Sequence, residues 1–512
     1  MLSKSAYSVR VDLARTRRTL WALQRLSIFP HLTSPHYAVS DSPQQFQASY
    51  LTGVLTFLVR PSLAIAKRGW PTIVLTVLVV AIAACGGLSD ADKQYNRGVD
   101  LLRESRLEEA IAAYDEAIRL DSTLAVAYHN RALAYENLGF LDKAVEDYGE
   151  AIWLDPQLTV AFSNRGGAYT KLGRFQDAVN DLNRALDDDP ESATGHNYRG
   201  LAFLYLGEVD KSLNDLTEAI RLDPSLSVAY GNRGNLYDRL QRFEEAIQDY
   251  DRAIELDPKN AWGYSNRGGT FLDLDQPERA IQDLDQAIKV DPDLPEAYAR
   301  RATANTLLGN LDAALNDYDK AVSINPVFIE AYFGRGSLLD RMGDLELAIA
   351  DYAVVISLNP KFTFAYINRG VAYHRVGEDR QAIKDFNRAI ALEPELAVAW
   401  YNRGVAHEDL EEVELAVRDY TQVIVLDPGN VDAYVNRALA YSNLGHPELA
   451  VRDMDVVVGL APDYARAYLI RAYANTLLGL DSNTQTDLDR AVTLGIDRST
   501  AEATIAEATS SR

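Results

Sequence analysis

Twelve arginines recur along this 512-residue chain at a constant interval of 34 residues, and this interval constrains the fold more than any other feature of the sequence. They are Arg97, Arg131, Arg165, Arg199, Arg233, Arg267, Arg301, Arg335, Arg369, Arg403, Arg437 and Arg471. Ten prolines from Pro156 to Pro462 keep the same interval, so no residue is inserted or lost between repeats. A constant period of this length indicates an array in which each repeat leaves an apolar face that its neighbour covers. We therefore expect one elongated core with a long binding surface.

The spacing of residues within one repeat predicts two antiparallel helices. Residues 128, 131, 132 and 135 are aromatic, basic, small and aromatic at i, i+3, i+4 and i+7, which is one face of a helix. Gly139 should end this helix, because glycine adopts the left-handed conformation that closes a helix C-terminus. Residues 144–154 form a second helical face, and Pro156 should end that helix because proline disfavours helix in the residue before it.

This pattern resembles the tetratricopeptide repeat family, whose 34-residue unit carries aromatic, small and aromatic residues on its first helix and alanine, aromatic and alanine on its second. The resemblance spans residues 91–498 as twelve units and includes the Asn-Arg-Gly triplet of a bacterial subtype. It implies an all-α, right-handed superhelical solenoid of twelve helix-turn-helix units, followed by a C-terminal capping helix and tail over residues 499–512. Gln94 and Thr484 depart from the family pattern in the terminal units, which are expected to be atypical caps.

The family usually has leucine where this chain has the repeating arginine. An aspartate follows eleven of the twelve arginines at a distance of 16 residues. Because a buried charge without a partner costs roughly 3 to 5 kcal/mol, we predict a structural ladder of Arg–Asp ion pairs. The predicted ladder includes Arg131, Arg165, Arg233, Arg369, Asp147, Asp249 and Asp385. Antiparallel helices permit pairing within a repeat (Arg131 with Asp147) or with the next repeat (Asp147 with Arg165), and the alternative role for the arginines is contact with a ligand.

The residue before the arginine is asparagine in eight repeats. In tetratricopeptide arrays this position faces the concave groove, and a similar asparagine ladder in O-GlcNAc transferases holds extended peptide backbone. An amide suits that role because it both donates and accepts hydrogen bonds. The predicted peptide-binding residues are Asn232, Asn266, Asn368, Asn402 and Asn436, with Phe333, Phe364, Ile367, Tyr401 and Val435 as a neighbouring apolar strip. Two alternatives stay open: the asparagines bond the neighbouring helix, and the apolar strip packs between adjacent first helices.

Charge and motifs exclude several classes of function. Residues 1–70 hold nine basic and two acidic residues, which leaves 42 basic and 72 acidic residues, a net charge of -30, in the rest of the chain. A surface this acidic repels phosphate backbones, so no nucleic-acid partner is expected. The sequence has no HExxH motif, phosphate-binding loop or nucleophile elbow, so we expect a non-enzymatic protein without cofactor, metal or small-molecule substrate. The groove also lacks the lysines with which family members clamp chaperone tails.

The amino-terminal residues predict attachment to a membrane. Within residues 61–84, two basic residues precede an apolar run of twelve residues that is too short to span a bilayer and resembles a secretory signal. The run ends at Cys85, the only cysteine, and residues 82–86 resemble the lipobox of bacterial lipoproteins. That resemblance implies cleavage before Cys85 and acylation of Cys85, with residues 85–90 as a short tether. An uncleaved membrane anchor and a cytosolic leader are the alternatives, and residues 1–60 are expected to be a disordered extension.

Together these features predict a membrane-anchored, extracytoplasmic scaffold that binds other proteins or peptides in extended conformation. Envelope complex assembly is its expected setting. The alternative is a cytoplasmic or inner-membrane adaptor in signalling or complex assembly. Acylation of Cys85 separates the two hypotheses, since only the first requires it.

Overall fold

A computed structural model describes residues 89–510, which form 25 α-helices and no β-strand. Residues 89–258 contain α1 (Asp90–Arg103), α2 (Leu107–Leu120), α3 (Ala125–Asn137), α4 (Leu141–Leu154), α5 (Thr159–Lys171), α6 (Phe175–Asp188), α7 (Ala193–Tyr205), α8 (Val209–Leu222), α9 (Ser227–Arg239) and α10 (Phe243–Leu256). Residues 259–510 contain α11 (Ala261–Asp273), α12 (Pro277–Val290), α13 (Pro295–Leu308), α14 (Leu311–Ile324), α15 (Ile329–Met342), α16 (Leu345–Leu358), α17 (Thr363–Arg375), α18 (Asp379–Leu392), α19 (Ala397–Asp409), α20 (Val413–Leu426), α21 (Val431–Asn443), α22 (Pro447–Leu460), α23 (Ala465–Leu477), α24 (Asp481–Thr493) and α25 (Arg498–Ser510).

The described residues fall into two compact parts, residues 89–258 with repeats 1 to 5 and residues 259–510 with repeats 6 to 12 and α25. Within each part, the first (odd-numbered) and second (even-numbered) helix of a repeat pack against each other. The second helix also packs against the first helix of the next repeat. The predicted all-α fold of consecutive helix pairs is therefore confirmed.

Both helix ends expected within a repeat are present. In repeat 2, α3 ends at Asn137, Leu138 caps it, and Gly139 follows in the left-handed region with φ of 80°. The second helix, α4, ends at Leu154, and the N–H of the capping residue Asp155 bonds to a carbonyl of the last turn. The helix ends predicted from glycine and proline are therefore present in the structure.

A small residue directly after the repeating arginine allows the two helices of a repeat to approach closely. At Gly370, an added Cβ would lie 2.6 Å from Cε1 of Phe386, which is closer than carbon atoms can pack. The large side chains that fill these positions on the second helices are almost completely buried, as Tyr148, Tyr250 and Tyr420 illustrate. Burying one such aromatic side chain contributes roughly 1.5 to 3 kcal/mol, so the core is a series of small–large contacts, one for each repeat.

The carboxyl-terminal helix α25 covers the apolar face of repeat 12. Its Ala501 is completely buried in a cluster with Tyr468 and Leu469 of α23 and with Leu488 and Ala491 of α24. The sequence predicts this helix between residues 499 and 509, within one residue of its bounds at each end. Within residues 89–510, no helix combines the length and the apolar character needed to cross a bilayer. The predictions for residues 1–60, residues 61–84 and Cys85 lie outside the described residues.

Candidate functional site

Successive first helices are linked by side-chain hydrogen bonds along one side of each part, which we call the first-helix face. The bonds join an asparagine to the residue 35 positions earlier, on the preceding first helix. Asn130 Nδ2 donates to the Tyr95 hydroxyl at 3.1 Å, and Asn232 Nδ2 donates to Asn197 Oδ1 at 2.9 Å. Asn436 Nδ2 makes the same contact with the Tyr401 hydroxyl at 3.0 Å. Part of the asparagine row therefore bonds the neighbouring helix.

These bonds hold the amides in place without using all of their hydrogen-bonding capacity. Among residues 89–510, no side chain or backbone group donates to Oδ1 of Asn232 or of Asn436. An amide whose nitrogen is held by a neighbour keeps its carbonyl oxygen in a defined orientation. The Oδ1 atoms of Asn232 and Asn436 are therefore held in a fixed orientation and keep their capacity to accept a hydrogen bond.

Asn402, in the same row, has an unmet hydrogen bond. Its side chain is only 6% exposed, and its Nδ2 has no partner among the described residues. The residue 35 positions earlier is Ile367, which offers no acceptor and is itself 1% exposed. A buried polar group without a partner costs about 1 to 3 kcal/mol, so the chain tolerates a penalty at this position.

Asn368 and Asn266 have different surroundings. Asn368 lies near the Tyr352 hydroxyl, whose pKa is raised by burial and lowered to a smaller extent by Asn368. Asn266 Oδ1 accepts a hydrogen bond from Arg300 Nη1 at 3.0 Å, and the same Nη1 donates to Ser265 Oγ at 2.8 Å. Arg300 occupies the asparagine position of repeat 7, so its guanidinium uses the acceptor that Asn266 would otherwise offer.

The apolar strip predicted beside the asparagines is buried. Phe333, Phe364 and Ile367 share one core cluster and are 4%, 7% and 1% exposed. Tyr401 packs at 5.9 Å, centroid to centroid, from the ring of Tyr420, and Val435 belongs to a third cluster. These side chains are therefore part of the packed core.

Each ladder arginine holds the aspartate of its own repeat. Arg131 Nε and Nη2 donate to the two carboxylate oxygens of Asp147 at 2.6 and 2.7 Å. The same two-bond contact occurs in Arg165–Asp181, Arg199–Asp215, Arg233–Asp249, Arg267–Asp283, Arg301–Asp317, Arg335–Asp351, Arg369–Asp385, Arg403–Asp419, Arg437–Asp453 and Arg471–Asp487. Of the two pairings that the sequence permits, the structure has the one within a repeat.

A second contact of the same arginines was not foreseen from the sequence. Arg131 Nη1 reaches the second helix of the preceding repeat and donates to Asp115 Oδ1 at 2.6 Å. Equivalent bonds join Arg301 to Asp285, Arg335 to Asp319 and Arg471 to Asp455 at 2.6 to 2.7 Å, Arg199 to Asn183 at 2.9 Å and Arg437 to Thr421 at 3.0 Å. The sequence feature that could have predicted this contact is a polar residue 16 positions before the arginine. Two repeats lack it, because Gly149 and Ala353 occupy that position.

The ladder carries a permanent charge. Its hydrogen bond with Asp317 raises the pKa of Arg301, and burial opposes that rise only in part. Tyr298 lies 5.7 Å from the same guanidinium, measured from Cζ to the ring centroid. Because both nitrogens facing Asp317 are bonded and Nη1 is held by Asp285, this arginine has few donors left for a ligand.

One group among residues 89–510 has the spacing of metal ligands. It consists of His374, Asp379 and Asp409, whose ligand atoms lie within 4.8 Å of one another. His374 Nδ1 lies 2.6 Å from Asp379 Oδ1, and Nε2 lies 3.8 Å from the exposed Asp409. The imidazole is thus already hydrogen-bonded to a carboxylate through Nδ1.

Models of the tetratricopeptide repeat match the chain in ten places, which together cover more than half of it. The matched residues are 98–139, 166–207, 125–158, 329–362, 227–260, 364–396, 397–430, 249–282, 419–452 and 266–327. No curated protein sequence matches the chain.

Several solved structures are similar to parts of the chain. The Cut9–Hcn1 hetero-tetramer of the APC/C is 14% identical, with 85% of this chain and 98% of that chain covered and a TM-score of 0.42. MamA is 31% identical over 32% of this chain and 96% of its own, with a TM-score of 0.29. YrrB, a TPR protein with an unusual peptide-binding site, is 26% identical over 36% of this chain and 95% of its own, with a TM-score of 0.30.

Proposed function

Because this chain belongs to the tetratricopeptide repeat family, we propose that it is a non-enzymatic scaffold that binds extended segments of other proteins on its first-helix face. The repeat family supports a role in protein interaction, and the amide row supports the choice of face. Repeats 9 to 11 are the strongest candidates, because their consecutive asparagines Asn368, Asn402 and Asn436 include the amide nitrogen of Asn402 that has no partner among residues 89–510.

The proposal rests on Asn402, whose amide nitrogen has no hydrogen-bond partner among residues 89–510. Because Nδ2 of Asn402 is buried, its side chain must rotate outwards before a backbone carbonyl of a bound segment can supply the acceptor that Nδ2 lacks. Oδ1 of Asn436 would accept from a backbone N–H of the same segment. Contacts of this kind bind the peptide backbone and do not depend on the side chain of the bound residue. Each bond contributes only about 1 kcal/mol net, so affinity must come from several amides together.

The test is peptide capture by the full chain. A labelled pool of short synthetic peptides is titrated with the wild type and with a double variant carrying Tyr401→Phe and Asn402→Ala, and binding is followed by fluorescence anisotropy. The variant removes the bond of the Asn436 amide and the amide of Asn402, so we expect a loss of about 2 kcal/mol, or roughly thirtyfold in Kd.

The matched control changes the equivalent pair of adjacent residues in repeat 1. Tyr95→Phe removes the bond of the Asn130 amide, and Asn96→Ala removes the amide at the position equivalent to Asn402, both outside repeats 9 to 11. The control should retain the wild-type Kd. Equal Kd values for the wild type and the Tyr401 and Asn402 variant would refute this binding site.

The membrane attachment of this scaffold is a further part of the proposal. The apolar run before Cys85 and the lipobox-like residues 82–86 support cleavage before Cys85 and acylation of that residue. Each buried CH2 of an acyl chain contributes about 0.8 kcal/mol, so several chains on one residue anchor firmly. Helix α1 begins at Asp90, which would place the repeats close to the bilayer. Assembly of envelope complexes is the setting we propose.

Mass spectrometry of the amino-terminal peptide tests this attachment. Acyl groups on Cys85, and their loss in a Cys85→Ser variant, are the expected result. The same variant should move the protein from the membrane fraction to the aqueous fraction. An unmodified Cys85 in the wild type would favour the cytoplasmic or inner-membrane adaptor instead.

A further inference from the structure

Charged side chains near the C-terminal ends of the first helices are paired between repeats. Glu136 Oε1 accepts a hydrogen bond from Lys171 Nζ, 35 residues later, at 2.8 Å. Asp340 and Arg375 form an ion pair with the same separation in the chain. The pairing therefore recurs in both parts of the structure, with an acid on one first helix and a base on the next.

Glu408 occupies the equivalent position in repeat 10 but lacks the base. Its Oε2 accepts a hydrogen bond from the Tyr420 hydroxyl at 2.9 Å, as Glu136 Oε2 does from the Tyr148 hydroxyl at 2.8 Å. The residue 35 positions after Glu408 is Asn443, which is exposed. Among residues 89–510, Glu408 has no ion-pair partner.

The surroundings of Glu408 are electronegative. Burial raises the pKa of Glu408, and the neighbouring Asp409 adds to that rise. Burial likewise raises the pKa of Tyr401, with further contributions from the charges of Asp432 and Glu408. The nearest histidine in sequence, His407, faces Glu412 at 2.6 Å. No cation of the described chain therefore neutralises this half-buried carboxyl group.

Glu408 lies on the same helix as Asn402, the residue of the asparagine row whose amide nitrogen has no partner. Asn402 and Glu408 both belong to α19, six residues apart, which corresponds to a rise of about 9 Å along the helix axis and a rotation of about 120° around it. The unpaired Nδ2 of Asn402 and the uncompensated carboxyl of Glu408 are two independent unmet contacts on this helix. A side chain of a segment held at Asn402 must therefore be long enough to extend along α19 and partly around it to reach Glu408.

We propose that Glu408 binds the ammonium or guanidinium group of a lysine or arginine in the partner segment. The inference rests on the proposed function, because it assigns a side chain to the segment that the amide row holds. The incoming cation would complete the arrangement already present at Glu136, where tyrosine and lysine share one carboxylate. Charge-assisted hydrogen bonds in a partly buried site are stronger than neutral ones, so this contact adds specificity for a basic segment.

Two peptide pools with one fixed central position test the inference on the full chain. One pool has lysine at that position and the other has glutamine, with all remaining positions randomised identically. We expect the wild type to bind the lysine pool about tenfold more tightly than the glutamine pool. The isosteric Glu408→Gln variant should bind both pools with the Kd that the wild type has for the glutamine pool.

The Asn443→Lys variant is a control in which a lysine of the chain itself pairs with Glu408. This variant recreates the Glu136–Lys171 arrangement in repeats 10 and 11, so it should lose the preference for lysine and keep its affinity for the glutamine pool. A wild type that binds both pools equally, or a Glu408→Gln variant that keeps the lysine preference, overturns the inference and leaves the scaffold function intact. Failure of the wild type to bind either pool overturns the scaffold function as well.

Discussion

At the scale of single residues, the ladder arginine replaces the usual leucine because the structure satisfies it on every side. Nε and Nη2 of Arg131 hold Asp147, and Nη1 holds Asp115. The rings of Tyr128 and Tyr135 lie 5.4 and 6.0 Å from its guanidinium carbon. Cation–π contacts and ion pairs together offset the cost of removing the charge from water. The arginine is therefore a packing residue that also joins three helices.

The first residue-scale prediction compares two aspartates of the ladder. Asp385→Ala leaves Arg369 without any carboxylate, because Ala353 occupies the position of its second contact, and should cost about 3 to 5 kcal/mol. Asp147→Ala should cost less, because Arg131 keeps Asp115. Urea denaturation followed by circular dichroism measures both values. An unchanged stability of Asp385→Ala would refute a structural role for the ladder.

The second residue-scale prediction concerns His129, a buried imidazole on the first-helix face. Its Nδ1 lies 3.0 Å from Asn130 Oδ1 and its Nε2 lies 3.0 Å from Asn164 Nδ2, an arrangement that a neutral ring satisfies. Burial lowers the pKa of His129 from 6.5 to about 4. As the pH falls from 6.5 to about 4, the unfolded chain gains a proton that the folded chain does not. Stability of about 3 kcal/mol should be lost over that range.

His129→Asn is the matched variant for this pH dependence, since Asn197 occupies the equivalent position in repeat 4. The free energy of unfolding of both proteins is measured by urea denaturation between pH 7 and about pH 4. The wild type should lose about 3 kcal/mol more than the variant over this range. Parallel pH profiles would show that the buried imidazole does not control this loss.

At the scale of helices and turns, the repeats differ in how the first helix ends. Nine described glycines have positive φ, among them Gly139 and Gly377 at the turn between the two helices of a repeat. Four repeats have another residue at this turn, and Ser105, Gln241, Asp275 and Glu411 adopt φ of 58° to 62°. A side chain in the left-handed region costs roughly 1 to 2 kcal/mol relative to the right-handed conformation. These four turns carry local strain.

Glu411→Gly should therefore stabilise repeat 10 by about 1 kcal/mol, because glycine accepts the left-handed conformation without the clash of a Cβ. Gly377→Ala, at the same turn of repeat 9, should destabilise the protein by a similar amount. Thermal denaturation of both variants gives the comparison. A loss of stability in Glu411→Gly would show that its side chain contributes more than its backbone strain costs.

Much of this architecture at the element scale could be predicted from the sequence, because it depends on local rules. The interval of 34 residues sets the helix pairs, and glycine and proline set their ends. The hydrogen-bond partner of each asparagine could not be predicted, because it depends on the residue that the neighbouring helix presents. Asn436 meets the hydroxyl of Tyr401, whereas Asn402 has Ile367 at the equivalent position. The second contact of the arginine was missed because its partner differs from repeat to repeat: aspartate, asparagine and threonine all occur, and Gly149 and Ala353 offer no side-chain acceptor.

At the scale of the whole molecule, each described part is an array in which every repeat contacts only near neighbours. Such arrays gain stability from each repeat and from each interface between repeats. The end of the array is therefore exposed unless another element covers it. Helix α25 has this role for repeat 12, where Ala501 is buried against Leu488 and Tyr468.

Deletion of residues 498–512 should destabilise the carboxyl-terminal repeats and promote self-association. The deletion exposes Leu488 and Tyr468, and fully exposing one such side chain costs roughly 1.5 to 3 kcal/mol. Hydrogen exchange should show faster opening of α23 and α24, with repeats 6 to 9 unchanged. Light scattering measures the association. A monomeric deletion variant with wild-type exchange would refute the capping role of α25.

The reach of each ladder arginine into the preceding repeat couples neighbouring repeats when one of them opens. Where Nη1 bonds a side chain of the preceding repeat, opening that repeat also removes a hydrogen bond from the next one. Arg165 meets Gly149 and Arg369 meets Ala353, so these two boundaries lack that bond. An ion pair between first helices is present at both of them instead, Glu136 with Lys171 and Asp340 with Arg375. The array should therefore resist a pulling force at both kinds of boundary, through different side chains.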